Sequence, residues 1–81
     1  MAGVQEMIAT IYTQPGCRFC EMAKEFLSSH GIPYIERDVS IDESAVHELR
    51  RLGTLAIPTI VLDGRVIVGF NVEQLSEALG E

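Results

Sequence analysis

The chain has 81 residues, 47% of them hydrophobic and 22% charged, which is typical of one small globular domain. Six basic and twelve acidic residues give a net charge of −6, and without a basic stripe we expect no nucleic-acid partner. No apolar run approaches the ~20 residues of a membrane span, so we expect no membrane partner either. Because the first residues do not resemble a secretory signal, the sequence predicts a cytoplasmic domain over 1–81, with 1–6 flexible.

The first half of the chain predicts a strand, a helix and a second strand. Residues 8–12 form a short β-prone run that Gln14-Pro15-Gly16 terminates. The apolar positions of the helix that follows are Phe19, Met22, Ala23, Phe26 and Leu27. Gly31 is predicted to end this helix, and residues 34–39 to form the next strand.

A second helix is predicted to start at a capping box. Ser40-x-x-Glu43 has the required spacing, with the serine as the cap. The apolar positions of this helix are Ile41, Ala45, Val46, Leu49 and Leu52. Gly53 is predicted to end it.

The last third of the chain predicts a hairpin and a helix. Residues 59–62 and 66–68 flank Asp63-Gly64, which suits the positive φ angles of a type I′ turn. Asn71 is predicted to cap a helix, whose apolar positions are Val72, Leu75, Ala78 and Leu79. The order β-α-β-α-β-β-α, with a parallel first β-α-β unit, predicts a small α/β fold: a four-stranded mixed sheet flanked by three helices on both faces.

The two cysteines, Cys17 and Cys20, are expected to carry chemistry. A bridge between residues three apart removes little entropy from the unfolded chain, whereas C-x-x-C beside a β-α-β pattern indicates redox activity. Cys17 falls at a predicted helix start, where backbone N–H groups and the neighbouring Arg18 favour a thiolate. We therefore expect its pKa to lie below the ~8.5 of a free thiol. Cys17 is predicted to attack a disulfide and the more shielded Cys20 to resolve the mixed disulfide.

Metal binding is the main alternative for this pair. Zinc within one chain is disfavoured, since His30 and His47 do not complete a recognised ligand spacing, and we assign no metal ligand. Two C-x-x-C pairs from a dimer would supply the four thiolates of an iron–sulfur cluster, which keeps a cluster or metal carrier as the competing hypothesis. A redox-inert binding domain is disfavoured by the intact pair.

Two further segments are candidates for binding. Pro58 enters a predicted strand, either trans at the end of a loop or cis and facing the thiols, with Ile57 offering its backbone to an extended substrate. Gly69 and the helix start after it would present N–H groups to a carboxylate. Phe70 is either exposed beside this site or part of the core.

Three motifs in order resemble those of the glutaredoxins, within the thioredoxin superfamily. They are Tyr12-x4-Cys17-Arg18-Phe19-Cys20, Ile57-Pro58-Thr59 and Gly69-Phe70. The resemblance implies a thioredoxin-like fold and a cis Pro58 against the cysteines. It also implies a dithiol–disulfide oxidoreductase that reduces protein disulfides or glutathione mixed disulfides through a reversible Cys17–Cys20 disulfide. We expect a monomer.

The resemblance also implies a surface that binds substrate or glutathione. Its residues are Arg18, Phe19, Ile57, Pro58, Gly69, Phe70 and Asn71. No tightly bound cofactor is expected, and glutathione is a candidate co-substrate.

The identity of the electron donor depends on departures from the glutaredoxin pattern. Arg18-Phe19 stands where glutathione-dependent members have Pro-Tyr, and Val72 where they have an acid for the glutathione amine. Gly69-Phe70 is closer to the NrdH-redoxins, which resemble glutaredoxins but are reduced by thioredoxin reductase. The expected partners are disulfide-containing proteins and, as donor, glutathione or thioredoxin reductase.

Overall fold

The structure, a computed structural model, describes residues 7–80. Its elements are β1 (Ala9–Thr13), α1 (Arg18–Ser29), β2 (Tyr34–Asp38), α2 (Glu43–Arg51), β3 (Thr59–Leu62), β4 (Arg65–Val68) and α3 (Val72–Ala78). The predicted order β-α-β-α-β-β-α is confirmed. The prediction of a flexible segment at 1–6 lies outside the described residues. Within 7–80, no helix is both long and apolar enough to cross a membrane.

The four strands form one mixed sheet in the order β2-β1-β3-β4. β1 and β2 are parallel, while β3 is antiparallel to both β1 and β4. Thr59, the first residue of β3, lies opposite Tyr12 on one side and Val68 on the other. The end of β1, the start of β3 and the end of β4 therefore meet at one edge of the sheet. The three segments with candidate site residues follow β1, precede β3 and follow β4, so all of them lie at this edge.

The core consists of two apolar clusters on opposite faces of the sheet. Ile11 belongs to the larger cluster and its neighbour Tyr12 to the smaller one, because successive side chains of a strand point to opposite faces. The buried members of the larger cluster are Ala9, Ile11, Ala23, Leu27, Ile32, Ile60, Leu62, Ile67, Leu75 and Ala78. Those of the smaller are Tyr12, Ala45 and Leu49. Helices α1 and α3 thus cover one face and α2 the other, which confirms the prediction of helices on both faces.

Two apolar positions predicted to face inward from α1 are instead exposed. Phe19 is 57% and Met22 40% exposed, whereas Ala23 and Leu27 are completely buried. Each residue of an α-helix is rotated by about 100° from the one before, so Met22 lies to the side of the stripe that Ala23 presents to the sheet. Apolar character alone did not show which of these helix positions face the sheet and which face solvent.

The predicted cap of α2 is wrong. Asp42, not Ser40, caps the helix, and its Oδ1 accepts hydrogen bonds from the N–H groups of Ser44 (3.0 Å) and Ala45 (3.3 Å). Ser40 instead donates its N–H and O–H to Asp38 Oδ1, at 2.9 and 2.6 Å. Ile41 precedes the helix and is 84% exposed, so it does not belong to the apolar face predicted for α2.

A polar network holds α2 against the sheet. Arg37 of β2 donates from Nη1 to Glu48 Oε1 (2.8 Å) and from Nη2 to the Ser44 hydroxyl (2.9 Å). The Tyr12 hydroxyl donates to the same Glu48 oxygen at 3.0 Å. These bonds link β1, β2 and α2.

Local signals placed the hairpin and the last helix correctly. Asp63 and Gly64 have φ angles of 54° and 77°, as a type I′ turn requires. The Asn71 side chain caps α3 by accepting a hydrogen bond from the Gln74 N–H at 3.0 Å. Val72, predicted to face the core from α3, is 48% exposed, because it occupies the first residue of the helix.

Candidate functional site

Cys17 lies at the start of α1, as predicted. It is the N-cap of the helix, with an extended backbone, and its Sγ accepts a hydrogen bond from the Cys20 N–H at 3.1 Å. Its carbonyl accepts the first bond of the helix, from the Glu21 N–H at 3.2 Å. An N–H donor and the positive end of the helix dipole both favour sulfur as a thiolate.

The two thiols differ in accessibility. Their Cα atoms are 5.2 Å apart, and the two sulfur atoms lie at disulfide-bonding distance. Cys17 is half-buried, while Cys20 is 1% exposed. An incoming disulfide therefore has access to Cys17, and Cys20 has access chiefly to Cys17.

A polar cluster follows the cysteine pair by one turn. Lys24 Nζ lies 2.9 Å from Glu21 Oε2 and 3.1 Å from Glu36 Oε2. The buried Thr13 hydroxyl donates to the same Glu36 oxygen at 2.9 Å. The hydrogen bond to Glu21 raises the pKa of Lys24, so this side chain stays cationic. The cluster joins α1 to the end of β1 and to the middle of β2, which fixes the helix that carries the thiols.

The Ile57–Pro58 segment lies at the same edge of the sheet as the cysteines. The peptide bond between these two residues is cis, as the resemblance implied. Pro58 is buried directly before β3, while Ile57 is half-buried. Among residues 7–80, the Ile57 N–H and C=O form no hydrogen bond. These groups are available to an extended partner segment.

Two threonines that were not among the predicted site residues hold this loop. The Thr54 hydroxyl accepts a hydrogen bond from the Ala56 N–H at 3.0 Å. The Thr59 hydroxyl, in a completely buried side chain, donates to the Ala56 carbonyl at 2.7 Å. Threonine two residues before a backbone N–H is a known turn signal, whereas the Thr59 bond depends on the fold of the loop.

Gly69 and Phe70 contact the same region in different ways. The Gly69 N–H donates to the Pro58 carbonyl at 2.8 Å, which joins the end of β4 to the loop before β3. Gly69 has a φ of 77°, a conformation that glycine adopts at little cost. Phe70 is half-buried and packs edge-on against Phe26 of α1, with ring centroids 6.2 Å apart. Of the two interpretations of Phe70, the structure favours packing.

The remaining predicted residues, Arg18, Phe19 and Asn71, differ in their surroundings. Arg18 and Phe19 are exposed on the first turn of α1. Met22, which the sequence placed in the core, is also exposed, so Phe19 and Met22 are two apolar side chains at the surface of this helix. Asn71 uses its side-chain oxygen to cap α3. In the part of the chain that the structure describes, no three or more His, Cys, Asp or Glu side chains are grouped as metal ligands.

Comparisons with known proteins agree with this geometry. The glutaredoxin family model matches residues 9–67. A glutaredoxin-like 8.6 kDa protein in the rubredoxin operon of Clostridium pasteurianum is 34% identical over 70 residues, which cover 85% of this chain and 93% of the relative. The glutaredoxin-like protein NrdH of Lactococcus lactis is 29% identical over 70 residues, 86% of this chain and 97% of its own.

A solved structure extends the agreement to three dimensions. The thioredoxin-like protein BC3987 superposes with a TM-score of 0.81 at 38% identity, over 86% of this chain and 97% of that protein. The family match includes both cysteines and the Ile57–Pro58 segment. Fold, motif and sequence identity lead to the same conclusion: the chain belongs to the glutaredoxin family.

Proposed function

We propose that this protein is a dithiol–disulfide oxidoreductase that reduces disulfides of partner proteins and receives its electrons from thioredoxin reductase. The observation that carries the proposal is the asymmetry of the cysteine pair. Cys17 is accessible and its Sγ accepts the Cys20 N–H at 3.1 Å, while Cys20 is buried beside it. A nucleophile and a resolving thiol need these two environments.

The reaction consists of two thiol–disulfide exchanges. The Cys17 thiolate attacks one sulfur of the partner's disulfide, that bond breaks, and the other partner sulfur leaves as a thiolate that takes a proton from water. Cys20 then loses its proton and attacks Cys17 Sγ, which forms the Cys17–Cys20 bond, and the first sulfur leaves, takes up a proton and becomes a second thiol. The partner gains two electrons and two protons, and thioredoxin reductase returns the two electrons to the oxidised pair.

The surroundings of α3 support a protein donor over glutathione. Val72 is an exposed apolar residue where glutathione-dependent relatives have an acid, and the Asn71 oxygen is already engaged in the helix cap. The similarity to NrdH of Lactococcus lactis is consistent with this choice. We propose further that the protein acts as a monomer in the cytoplasm.

The donor is tested by following NADPH oxidation with the oxidised protein in two mixtures. One contains thioredoxin reductase alone, and the other contains glutathione with glutathione reductase. We expect rapid reduction in the first mixture and slow reduction in the second. Rapid reduction in the glutathione mixture alone would overturn the proposed donor, and no reduction in either would overturn the proposed activity.

A further inference from the structure

The loop between α2 and β3 is held at one residue, Ala56. The Thr54 hydroxyl accepts the Ala56 N–H (3.0 Å), and the Thr59 hydroxyl donates to the Ala56 carbonyl (2.7 Å). Thr59 itself is completely buried at the first position of β3. Both polar backbone groups of Ala56 are therefore satisfied by side chains on either side of it.

Ile57, the next residue along the chain, differs from Ala56 in its backbone hydrogen bonding. Within the described part of the chain, Ile57 forms no backbone hydrogen bond, although it is half-buried and both flanking residues are held. Pro58 is fixed on its other side because its carbonyl accepts the Gly69 N–H at 2.8 Å. The held neighbours therefore fix the directions of the Ile57 N–H and C=O, and both groups remain available for hydrogen bonds to another molecule.

We propose that Thr54 and Thr59 are positioning residues, which hold Ala56 so that the Ile57 N–H and C=O are presented to an extended segment of the partner. The inference rests on the proposed function, since it requires a polypeptide disulfide as the substrate. Residues 52–58 belong to neither a helix nor a strand, so an unheld loop would lose conformational entropy on binding. The two hydroxyl bonds remove this cost before the partner arrives.

The test compares substrates with and without a peptide backbone. The reduced protein is mixed with insulin, whose disulfides lie in polypeptide, or with cystamine, a small disulfide without peptide groups, and the reaction is quenched within one turnover. Thr59→Val keeps the side-chain shape and removes the hydroxyl. We expect it to lower the rate constant for insulin by about five- to tenfold, the effect of one net hydrogen bond, and to leave the rate for cystamine unchanged.

The matched control is Thr59→Ser, which retains the hydroxyl and is expected to keep the insulin rate within about twofold of the wild type. Thr54→Val and Thr54→Ser form a second pair at a half-buried position, and they carry the test if Thr59→Val does not fold. Equal losses with insulin and cystamine, or no loss with either, would overturn the positioning role. Failure of the wild type to reduce insulin would overturn the proposed function, and the inference with it.

Discussion

Cys17 and Cys20 differ in burial and in hydrogen bonding, although they are separated by a single helical turn. Cys17 is half-buried and accepts a backbone N–H, while Cys20 is 1% exposed and its own N–H is the donor in that bond. The stabilising donor therefore acts on the accessible sulfur. This division is established by residue positions at the helix start, before any partner binds.

Substituting each cysteine separately should reveal the division. Cys17→Ser removes the attacking sulfur and is expected to abolish disulfide reduction. Cys20→Ser leaves the attack intact and removes the resolving step, so mixed disulfides with the partner should accumulate. Mass spectrometry of the quenched reaction measures both results. Full activity of Cys17→Ser, or an accumulating mixed disulfide on Cys20 instead of Cys17, would contradict the assigned roles.

Tyr12 provides a prediction about pH. Burial raises the pKa of Tyr12 above its usual value of about 10, and the hydrogen bond to Glu48 raises it further. Because the folded state favours the neutral phenol, this contribution to stability is complete below the unfolded pKa and is lost as the pH rises through the folded pKa.

Tyr12→Phe should therefore remove a tyrosinate absorbance transition centred above about pH 10. The free energy of unfolding of the wild type, measured with urea, should fall relative to that of the variant as the pH rises through this transition. If the transition that disappears in Tyr12→Phe is centred at or below the usual tyrosine pKa, burial does not raise the pKa of Tyr12.

At the scale of the elements, the start of α2 shows how two polar residues compete for one cap. Asp42 accepts two backbone N–H groups and also contacts Arg37, with its Oδ2 3.3 Å from Nη2. Ser40 lies two residues earlier and bonds to Asp38 instead. The residue with an additional ionic partner from β2 takes the cap, and that partner comes from outside the helix.

The two candidate caps are separated by substitution. Asp42→Ala should lower the melting temperature by about 5 °C through loss of the cap, whereas Ser40→Ala should change it little. Hydrogen bonding from Ser44, the largest cause, lowers the pKa of Asp42, so its contribution is present above the unfolded pKa and lost as the pH falls through the folded value.

Asp42→Asn retains a capping oxygen and removes the charge, so it should melt closer to the wild type at neutral pH and lack this acid-dependent loss. Thermal melts at neutral and acidic pH measure both effects. A larger loss in Ser40→Ala than in Asp42→Ala would restore the capping box as the start of the helix.

At the scale of the whole molecule, the two-sided core leaves little surplus stability. A chain of this length is expected to have a free energy of unfolding of only about 4–12 kcal/mol. Ile60 is completely buried in the larger cluster, whereas Ile41 is 84% exposed. The same side chain thus occurs in the two extreme environments of the fold.

Ile60→Ala should lower the free energy of unfolding by about 2–5 kcal/mol, because it leaves a cavity in the core. The matched substitution Ile41→Ala should change it by no more than about 0.5 kcal/mol. Urea titration at equilibrium gives both values. A comparable loss at Ile41 would mean that this side chain is covered in solution.

The oligomeric state distinguishes the oxidoreductase from the alternative of a shared cluster. We expect the freshly purified protein to elute as a monomer and to lack visible absorption, because the proposed reaction needs one Cys17–Cys20 pair and no metal. A coloured dimer that contains iron and loses its colour in Cys17→Ser would favour the cluster carrier. Gel filtration with absorbance detection makes the comparison.

The amino-acid sequence by itself was sufficient wherever the deciding interaction lies within a few residues. The Asp63-Gly64 turn, the Asn71 cap and the position of Cys17 at a helix start all follow from φ preferences or from hydrogen bonds between residues at most three apart. The α/β class followed in the same way from the order and periodicity of the segments. Recognition of the three motifs then supplied the family and the cis form before Pro58.

Tertiary structure decided every question that depends on a second segment of the chain. Met22 is exposed because the sheet lies beneath the neighbouring stripe of α1, Phe19 is exposed in the first turn of that helix, and Phe70 is half-buried because Phe26 packs against it. Asp42 prevails over Ser40 with the help of Arg37. Burial and long-range hydrogen bonds depend on which surfaces meet when the chain folds, and the spacing of residues along the chain does not contain that information.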